Sequence, residues 1–435
     1  MVMATVCVRS VVSGRRGLGK VQRRGFEVRA RASLKHEEGR DGGGGGAGRI
    51  ERRDVLKGGS AAAVAAAVVG LSSGMSPEAA QALPELPSFL SGGDSGNKPE
   101  YNVAVGKHWE QVSLPLEDGV ILLDVGFCPG EPEHGFLVGT RQTLLETTDG
   151  GKTWEARFIG NKDSDDDDGI NYRFNAIAWG GSDGREGWIV GKPAVMFHTT
   201  DAGSTWTNVP LSNKLPGTPL GLYAYPEDGK VEMVTDQGAI YLTENGAESW
   251  KAQVQETVDA TLNRTVSSGI SGASFYTGTF ATIRRNNDGG YVAVNSRGNF
   301  FMTWQPGEDY WQPHNRSTAR RLQNMGWKEN TMWMLTRGGN MYFGARDGFT
   351  EDFEEQRIGS RGFGLLDVAF RNKTDAWASG GSGSLFHSTD GGVSWKRERQ
   401  ADNLSGNLYL IRFFGDNNDK GFVLGSDSVL LRYTL

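Results

Sequence analysis

One pattern returns along most of this 435-residue chain. It is a strand of the form Gly-aromatic-Val-Gly or a near variant, a short turn, a second apolar strand, and a polar turn ending in Trp. GFLVGTRQTLLETTDGGKTW spans 135–154, GWIVGKPAVMFHTTDAGSTW 187–206 and VEMVTDQGAIYLTENGAESW 231–250. YVAVNSRGNFFMTWQPGEDYW (291–311), MWMLTRGGNMYFGARDGFTEDF (332–353) and AWASGGSGSLFHSTDGGVSW (376–395) continue it, and GFVLGSDSVLLRYTL ends the chain. Trp154 to Trp206 is 52 residues, Trp206 to Trp250 is 44, and Trp250 to Trp395 is 145, room for two degenerate units and one full one. A repeat of that length built from short strands cannot bury its faces alone, so its units must stack; the closed solution is a propeller of four-stranded blades.

Each blade also needs an inner strand ahead of the repeated pair. Apolar candidates lie at 120–127, 174–179, 220–225, 278–283, 322–327, 364–370 and 407–414. The last unit stops at Leu435 without an outer strand. HWEQVSLP (108–115) matches the Trp-led outer segments WEARF, WTNVP and WKRER and supplies the missing one. The expectation is an all-β, seven-bladed β-propeller of four-stranded antiparallel blades over residues 107–435, closed by an N-terminal strand joining the last blade. Closure of that kind removes open sheet edges.

Composition narrows the function. The 63 Gly suit many tight turns, and 10% aromatic residues can furnish a core. Cys7 and Cys128 cannot make a disulfide framework, and the six His show no metal-ligand spacing. Neither a metal nor a cofactor is expected. No apolar run approaches the ~20 residues of a membrane span.

The first 82 residues read as targeting sequence. Residues 1–50 are Arg-, Ser- and Gly-rich and poor in acids until Glu37, as in a chloroplast transit peptide. Residues 51–82 place Arg52 and Arg53 before an Ala-rich apolar stretch, then Ala80 and Ala82 around a cleavage site. That order is a twin-arginine signal, predicting a mature start at Leu83 and a linker over 83–106. Two sequential imports point to the thylakoid lumen. Fourteen of the 46 basic and seven of the 52 acidic residues lie in 1–82, leaving 32 against 45 and a net charge of −13. So acidic a protein is not expected to bind nucleic acid.

TTDGGKTW (147–154), TTDAGSTW (199–206) and STDGGVSW (388–395) fit the Asp-box S/T-x-D-x-G-x-S/T-W, and TENGAESW (243–250) has Asn245 at the Asp position. Asp149, Asp201 and Asp390 can each accept hydrogen bonds inside their own turns, while Trp154, Trp206 and Trp395 pack on a neighbouring blade. The reading is a structural hairpin between third and outer strands. Box-bearing propellers also include sialidases and other glycosidases, which is the alternative function. A sialidase needs an arginine cluster, a Tyr nucleophile paired to a Glu, and an acid; no persuasive acid–base pair can be placed here.

In an antiparallel blade, turns between second and third strands share one face with the blade-to-blade connections. Arg141, Lys192, Arg297 and Arg337 fall in such turns, and Arg173, Arg264, Arg316, Arg320, Arg321, Arg357 and Arg361 in connections. The bias peaks around blades four and five. A basic patch on an acidic protein reads as a docking surface for an acidic protein segment, because the guanidinium fork grips carboxylates. The run DSDDDDG (163–169) lies on the same face, and the connection 252–277 is long for such a fold.

YRFNAIAW (172–179), EGWIVGKPA (186–194), YVAVNSRGNFFMTWQPG (291–307), YWQPHNRSTARRLQNMGW (310–327), SRGFGLLDV (360–368), DNLSGNLYLIRF (402–413) and GFVLGSDSVLLRY (421–433) resemble the photosystem II stability/assembly factors of cyanobacteria and chloroplasts. ISGASFYTGTF (270–280) looks like the photosynthetic-eukaryote branch. The resemblance implies a non-enzymatic factor of the thylakoid lumen, monomeric and without a small-molecule substrate. It would be peripheral to the membrane through its partners, the photosystem II reaction-centre subunits of an early intermediate. Carried over, the family's arginine patch falls on Arg173, Arg297, Arg316, Arg320, Arg321 and Arg337, with Arg264 in the eukaryote-type connection. The acid run and Asn245 depart from the family pattern without touching those arginines.

Overall fold

In the computed structural model, residues 102–159, 171–254, 279–316, 318–329, 331–344, 353–356, 358, 364–415 and 417–434 are described. Their regular structure is strand throughout, apart from one 3-10 turn at Arg399–Asn403. Six four-stranded antiparallel sheets and one five-stranded sheet make seven blades. The inner strands are Leu122–Cys128, Arg173–Gly180, Pro219–Ala224, Phe280–Arg285, Leu322–Lys328, Leu365–Phe370 and Leu408–Phe414, in blades 1 to 7. Each lies within two or three residues of its sequence-predicted position.

Seven apolar clusters hold the ring, one between each pair of neighbouring blades. Val125 of blade 1 packs with Leu410, Phe422 and Leu424 of blade 7. Ile177 does the same on Phe136 and Val138 of blade 1, Met325 on Val292 and Val294 of blade 4, and Ile411 on Trp377 and Leu385 of blade 6. Burying such a side chain is worth ~1.5–3 kcal/mol, so the seven interfaces carry the architecture. Second strands are sandwiched on both sides, which is why Val231–Thr235 and Tyr291–Asn295 are buried at every position.

The glycine opening the repeated strand now has a cause. An aromatic ring near the end of the inner strand lies flat over it: Phe127 pairs with Gly135, and Trp179 with Gly187. A Cβ on Gly135 would sit 2.6 Å from the Phe127 ring, and one on Gly187 2.5 Å from Trp179.

Every inner strand also carries one extra residue against its neighbour: Leu123, Asn175, Leu220, Ala281, Gln323, Leu366 and Tyr409. A bulge bends and twists a strand, and here it turns the next side chain toward the following blade. Thus Asp124 accepts from the Ile177 amide at 3.1 Å and Asp367 from the Ile411 amide at 2.9 Å. Arg412 neutralises Asp124 at 3.0 Å and Arg284 neutralises Asp367 at 2.8 Å.

Blade 7 takes its outer strand from the N-terminal side, Trp109–Gln111, paired to Leu430–Tyr433. A fifth strand, Val103–Val105, lies beyond it, within the stretch the sequence reading assigns to the linker. Asn102 donates to the Lys152 carbonyl at 3.0 Å, and Gln400 accepts from the Gly106 amide at 2.7 Å, so this hairpin also grips blades 1 and 6. No helix among the described residues is long and apolar enough to cross a membrane.

Candidate functional site

Three segments meet where blades 4 and 5 adjoin. They are the turn after Tyr291–Asn295, the connection from Arg316 to Arg321, and the turn after Thr331–Thr336. The Leu322 amide donates to the Gly298 carbonyl and the Arg337 amide to the Arg321 carbonyl, both at 2.8 Å, and Arg337 Nη2 reaches the Ser296 carbonyl at 3.3 Å. These bonds bring Arg297, Arg316, Arg320, Arg321 and Arg337 onto one surface although 40 residues separate the first from the last. Arg297, Arg320, Arg321 and Arg337 are exposed, and Arg316 is half-buried.

Arg316 is spent on its own loop. Its Nε donates to the Thr318 carbonyl at 2.9 Å, Nη1 to Asn299 Oδ1 at 3.3 Å and Nη2 to the Ala319 carbonyl at 3.4 Å. None of the five has a carboxylate partner among the described residues. By contrast Arg285, Arg371 and Arg432 sit on Glu232, Asp375 and Glu110 at 3.2, 2.5 and 2.7 Å. Unneutralised guanidinium groups on a rigid turn cluster form a local positive surface that can steer and grip an acidic segment.

Arg173 stands apart, as the first residue of blade 2's inner strand. Arg141 is engaged with Glu117 at 3.7 Å, and Lys192 is exposed. Arg264, Arg357, Arg361, the acid run 163–168, most of the 252–277 connection, and the targeting residues Arg52, Arg53, Ala80 and Ala82 lie outside the described residues.

The Asp-box carboxylates are occupied within their turns. Asp149 accepts from the Lys152 and Thr153 amides at 2.9 and 3.0 Å and from the Thr153 hydroxyl at 2.7 Å. Burial alone would raise its pKa, but these donors and the Thr147 hydroxyl outweigh it and hold the carboxyl at about 2. The Ser394 hydroxyl and amide, then Ser388, hold Asp390 at about 2 as well. In blade 2, Asp201 takes the Thr205 amide at 2.9 Å and its hydroxyl at 2.6 Å. Asn245 reproduces the turn, accepting from the Ser249 amide at 3.1 Å and donating to its hydroxyl at 2.9 Å. Trp154 and Trp395 donate to the Gly151 and Gly392 carbonyls at 3.1 and 2.9 Å, and Trp206 packs edge-on against Phe136 of blade 1.

A Tyr–Glu pair does exist, and sequence reasoning missed it. Tyr291 donates to Glu232 at 2.5 Å beside Arg285, but both residues are only 4% exposed. Burial, then the Glu232 charge, pushes the phenol well above its usual range. A nucleophile needs access and an ionisable form, so this trio staples blade 3 to blade 4 and offers no glycosidase site. Also missed were His–carboxylate pairs ahead of three boxes: His134 with Glu146 at 2.7 Å, His198 with Glu186 at 2.6 Å and His387 with Asp375 at 2.9 Å. Each spans twelve residues, a spacing visible in the sequence. Cys128 is buried, and burial pushes its thiol up, leaving it unreactive.

Fold and surface together define a propeller that presents a basic face, with its turn carboxylates committed to structure. Residues 101–434 match the family described as "Photosynthesis system II assembly factor YCF48". The chain is 57% identical over 326 residues to the photosystem II stability/assembly factor HCF136 of Arabidopsis thaliana, covering 75% of this chain and 79% of that one. The solved YCF48 of Cyanidioschyzon merolae is 45% identical with a TM-score of 0.66, covering 75% and 98%. A structure titled "YCF48 bound to D1 peptide" is 38% identical with a TM-score of 0.65, covering 77% and 99%. The chain belongs to this family of photosystem II assembly factors, and its chloroplast relatives bear the chloroplastic label.

Proposed function

We propose that this protein, a non-enzymatic photosystem II assembly factor, binds an early reaction-centre subunit through the arginine surface of blades 4 and 5 and promotes biogenesis and repair of the complex. The observation that carries this reading is the set of exposed arginines, Arg297, Arg320, Arg321 and Arg337, held together without carboxylate partners among the described residues. The D1-peptide complex of a 38%-identical relative supports a reaction-centre segment as the ligand. The finer location we infer is the thylakoid lumen, reached through Arg52 and Arg53, with the protein at the membrane periphery through its partner.

Capture from solubilised thylakoids tests it. Wild-type protein is expected to retain reaction-centre subunits. A variant with Arg297, Arg320, Arg321 and Arg337 changed to Glu is expected to fold and lose them. Capture at wild-type strength by the folded variant would move the interface elsewhere.

A further inference from the structure

The hairpin that closes the ring carries a histidine into the seam between blades 6 and 7. His108 ends the turn between Val103–Val105 and Trp109–Gln111 and is half-buried there. Its ring stacks near-parallel on Tyr433, 5.9 Å between centroids, and meets Trp377 edge-on at 5.8 Å and His387 edge-on at 5.3 Å. His387 in turn stacks on Trp377 at 4.1 Å and bonds Asp375 at 2.9 Å, and Arg371 holds the other oxygen of that carboxylate at 2.5 Å. Arg371 also stands over the Tyr433 ring, 5.5 Å from its centroid. Blade 2 repeats the inner half of this arrangement, with His198 stacked on Trp188 at 3.6 Å and bonded to Glu186 at 2.6 Å. There the pair meets no closing hairpin, because the outer strand Thr207–Asn208 comes from the same blade.

The charges around His108 suit a neutral imidazole. Its own hairpin carries Lys107 and Glu110, the latter bound to Arg432 of blade 7 at 2.7 Å. Blade 6 sets Arg371, His387 and Lys396, which is cross-strand from His387, against Asp375 and Glu398. Asp375 is already shared by two partners, and Glu398 closes on the turn at Gly106, where any side chain would run into its carboxyl. Burial, then His387, hold the His108 imidazole below its ordinary value of 6.5 against the pull of Asp375 and Glu398. Detachment returns the ring to water and to that ordinary value. The detached hairpin therefore binds the proton more readily, and attachment weakens as pH falls through 6.5. We propose that His108 is an acid-released latch: its protonation frees residues 102–112 from blades 6 and 7 and bares the Leu430–Tyr433 edge of blade 7, while the other blades keep their outer strands. A bared edge of that kind can take up another strand. The latch acts whatever the arginine surface binds.

Amide hydrogen exchange tests the latch, read as protection relative to the intrinsic rate at each pH, from about pH 7.5 to about pH 5.5, where a histidine changes charge. Two amides report on the hairpin: Val112, which donates to the Leu430 carbonyl at 2.9 Å, and Thr434, which donates to the His108 carbonyl at 2.7 Å. The control is Val209, which donates to the Met196 carbonyl at 2.9 Å on the outer side of blade 2. Acid is expected to lower protection of Val112 and Thr434 several-fold and to leave Val209 in place. His108→Phe keeps a ring in the seam and His108→Gln keeps a neutral polar group; neither titrates, so in both the acid loss should disappear, whatever their starting protection. His108→Lys carries a fixed charge and should show low protection of both reporters at either pH. An acid loss that persists in His108→Phe and His108→Gln, an equal loss at Val209, or no loss in the wild type would overturn the latch.

Discussion

Asp367→Ala is expected to be a severe single change to the ring. The carboxylate is fully buried and ties blade 6 to three other blades. Arg284 Nη2 of blade 4 lies 2.8 Å away, Asn324 Nδ2 of blade 5 lies 3.2 Å away, and the Ile411 amide of blade 7 lies 2.9 Å away. Removing it strands the Arg284 cation, whose side chain is 26% exposed, and orphans the Ile411 amide. Asn324 keeps a second acceptor, the Leu366 carbonyl at 2.9 Å. Breaking a buried pair from one side costs ~3–5 kcal/mol, and an orphaned buried donor ~1–3 kcal/mol; the two overlap, so we expect about 3–5 kcal/mol in all. Typical total stabilities are ~5–15 kcal/mol, so the loss is a large share. Urea unfolding followed by Trp fluorescence measures it. Asp367→Asn, which keeps an acceptor for Ile411, should lose less, and Asp367→Ala with Arg284→Met should lose less than the two single changes summed. A loss under ~1 kcal/mol for Asp367→Ala, the scale of an exposed pair, would refute the inter-blade key.

Other outcomes follow from the same contacts. Deleting residues 83–115 removes both N-terminal strands from blade 7 and should abolish cooperative melting and promote aggregation, seen by calorimetry and light scattering. Arg173→Met should melt at or above wild type, because it removes a half-buried cation whose Nε finds no acceptor among the described residues; a clear drop in Tm would count against that description. Asp149 has its folded pKa, about 2, below the ordinary carboxylate value, so its contribution is complete above pH ~4 and is lost as pH falls toward 2. The stability gap between wild type and Asp149→Asn should therefore shrink over that window in acid titrations of the melting point. Lys at positions 52 and 53 should halt import short of the lumen in isolated plastids.

The ring was legible because its signals are local and repeated. Trp-ended turns, alternating inner strands and the Trp-led segment at 108–115 each declare themselves within ten residues. The bulges at Leu123, Asn175 and their equivalents did not, since they answer to the neighbouring blade and not to the strand's own pattern. Val103–Val105 falls inside the expected linker because three residues give no period. Arg284 and Asp367 are 83 residues apart, and Tyr291 and Glu232 are 59 apart, so no spacing rule finds them. The arginines of blades 4 and 5 could be grouped by turn position alone. That Arg316 holds its own loop and that the Arg173 Nε is buried without an acceptor could be seen only with side chains in place. The twelve-residue His–carboxylate spacing was present in the sequence and was overlooked because its polarity reverses in blade 1.

The proposed docking face can be tested most directly by hydrogen exchange on the protein with and without a bound reaction-centre subunit. Protection is expected at 296–299, 316–322 and 336–339, where the exposed arginines are held. The Asp-box turns at 149–153, 201–205 and 390–394, on the opposite face, should exchange at unchanged rates. Protection confined to the Asp-box turns, with the three arginine segments unaffected, would contradict the account.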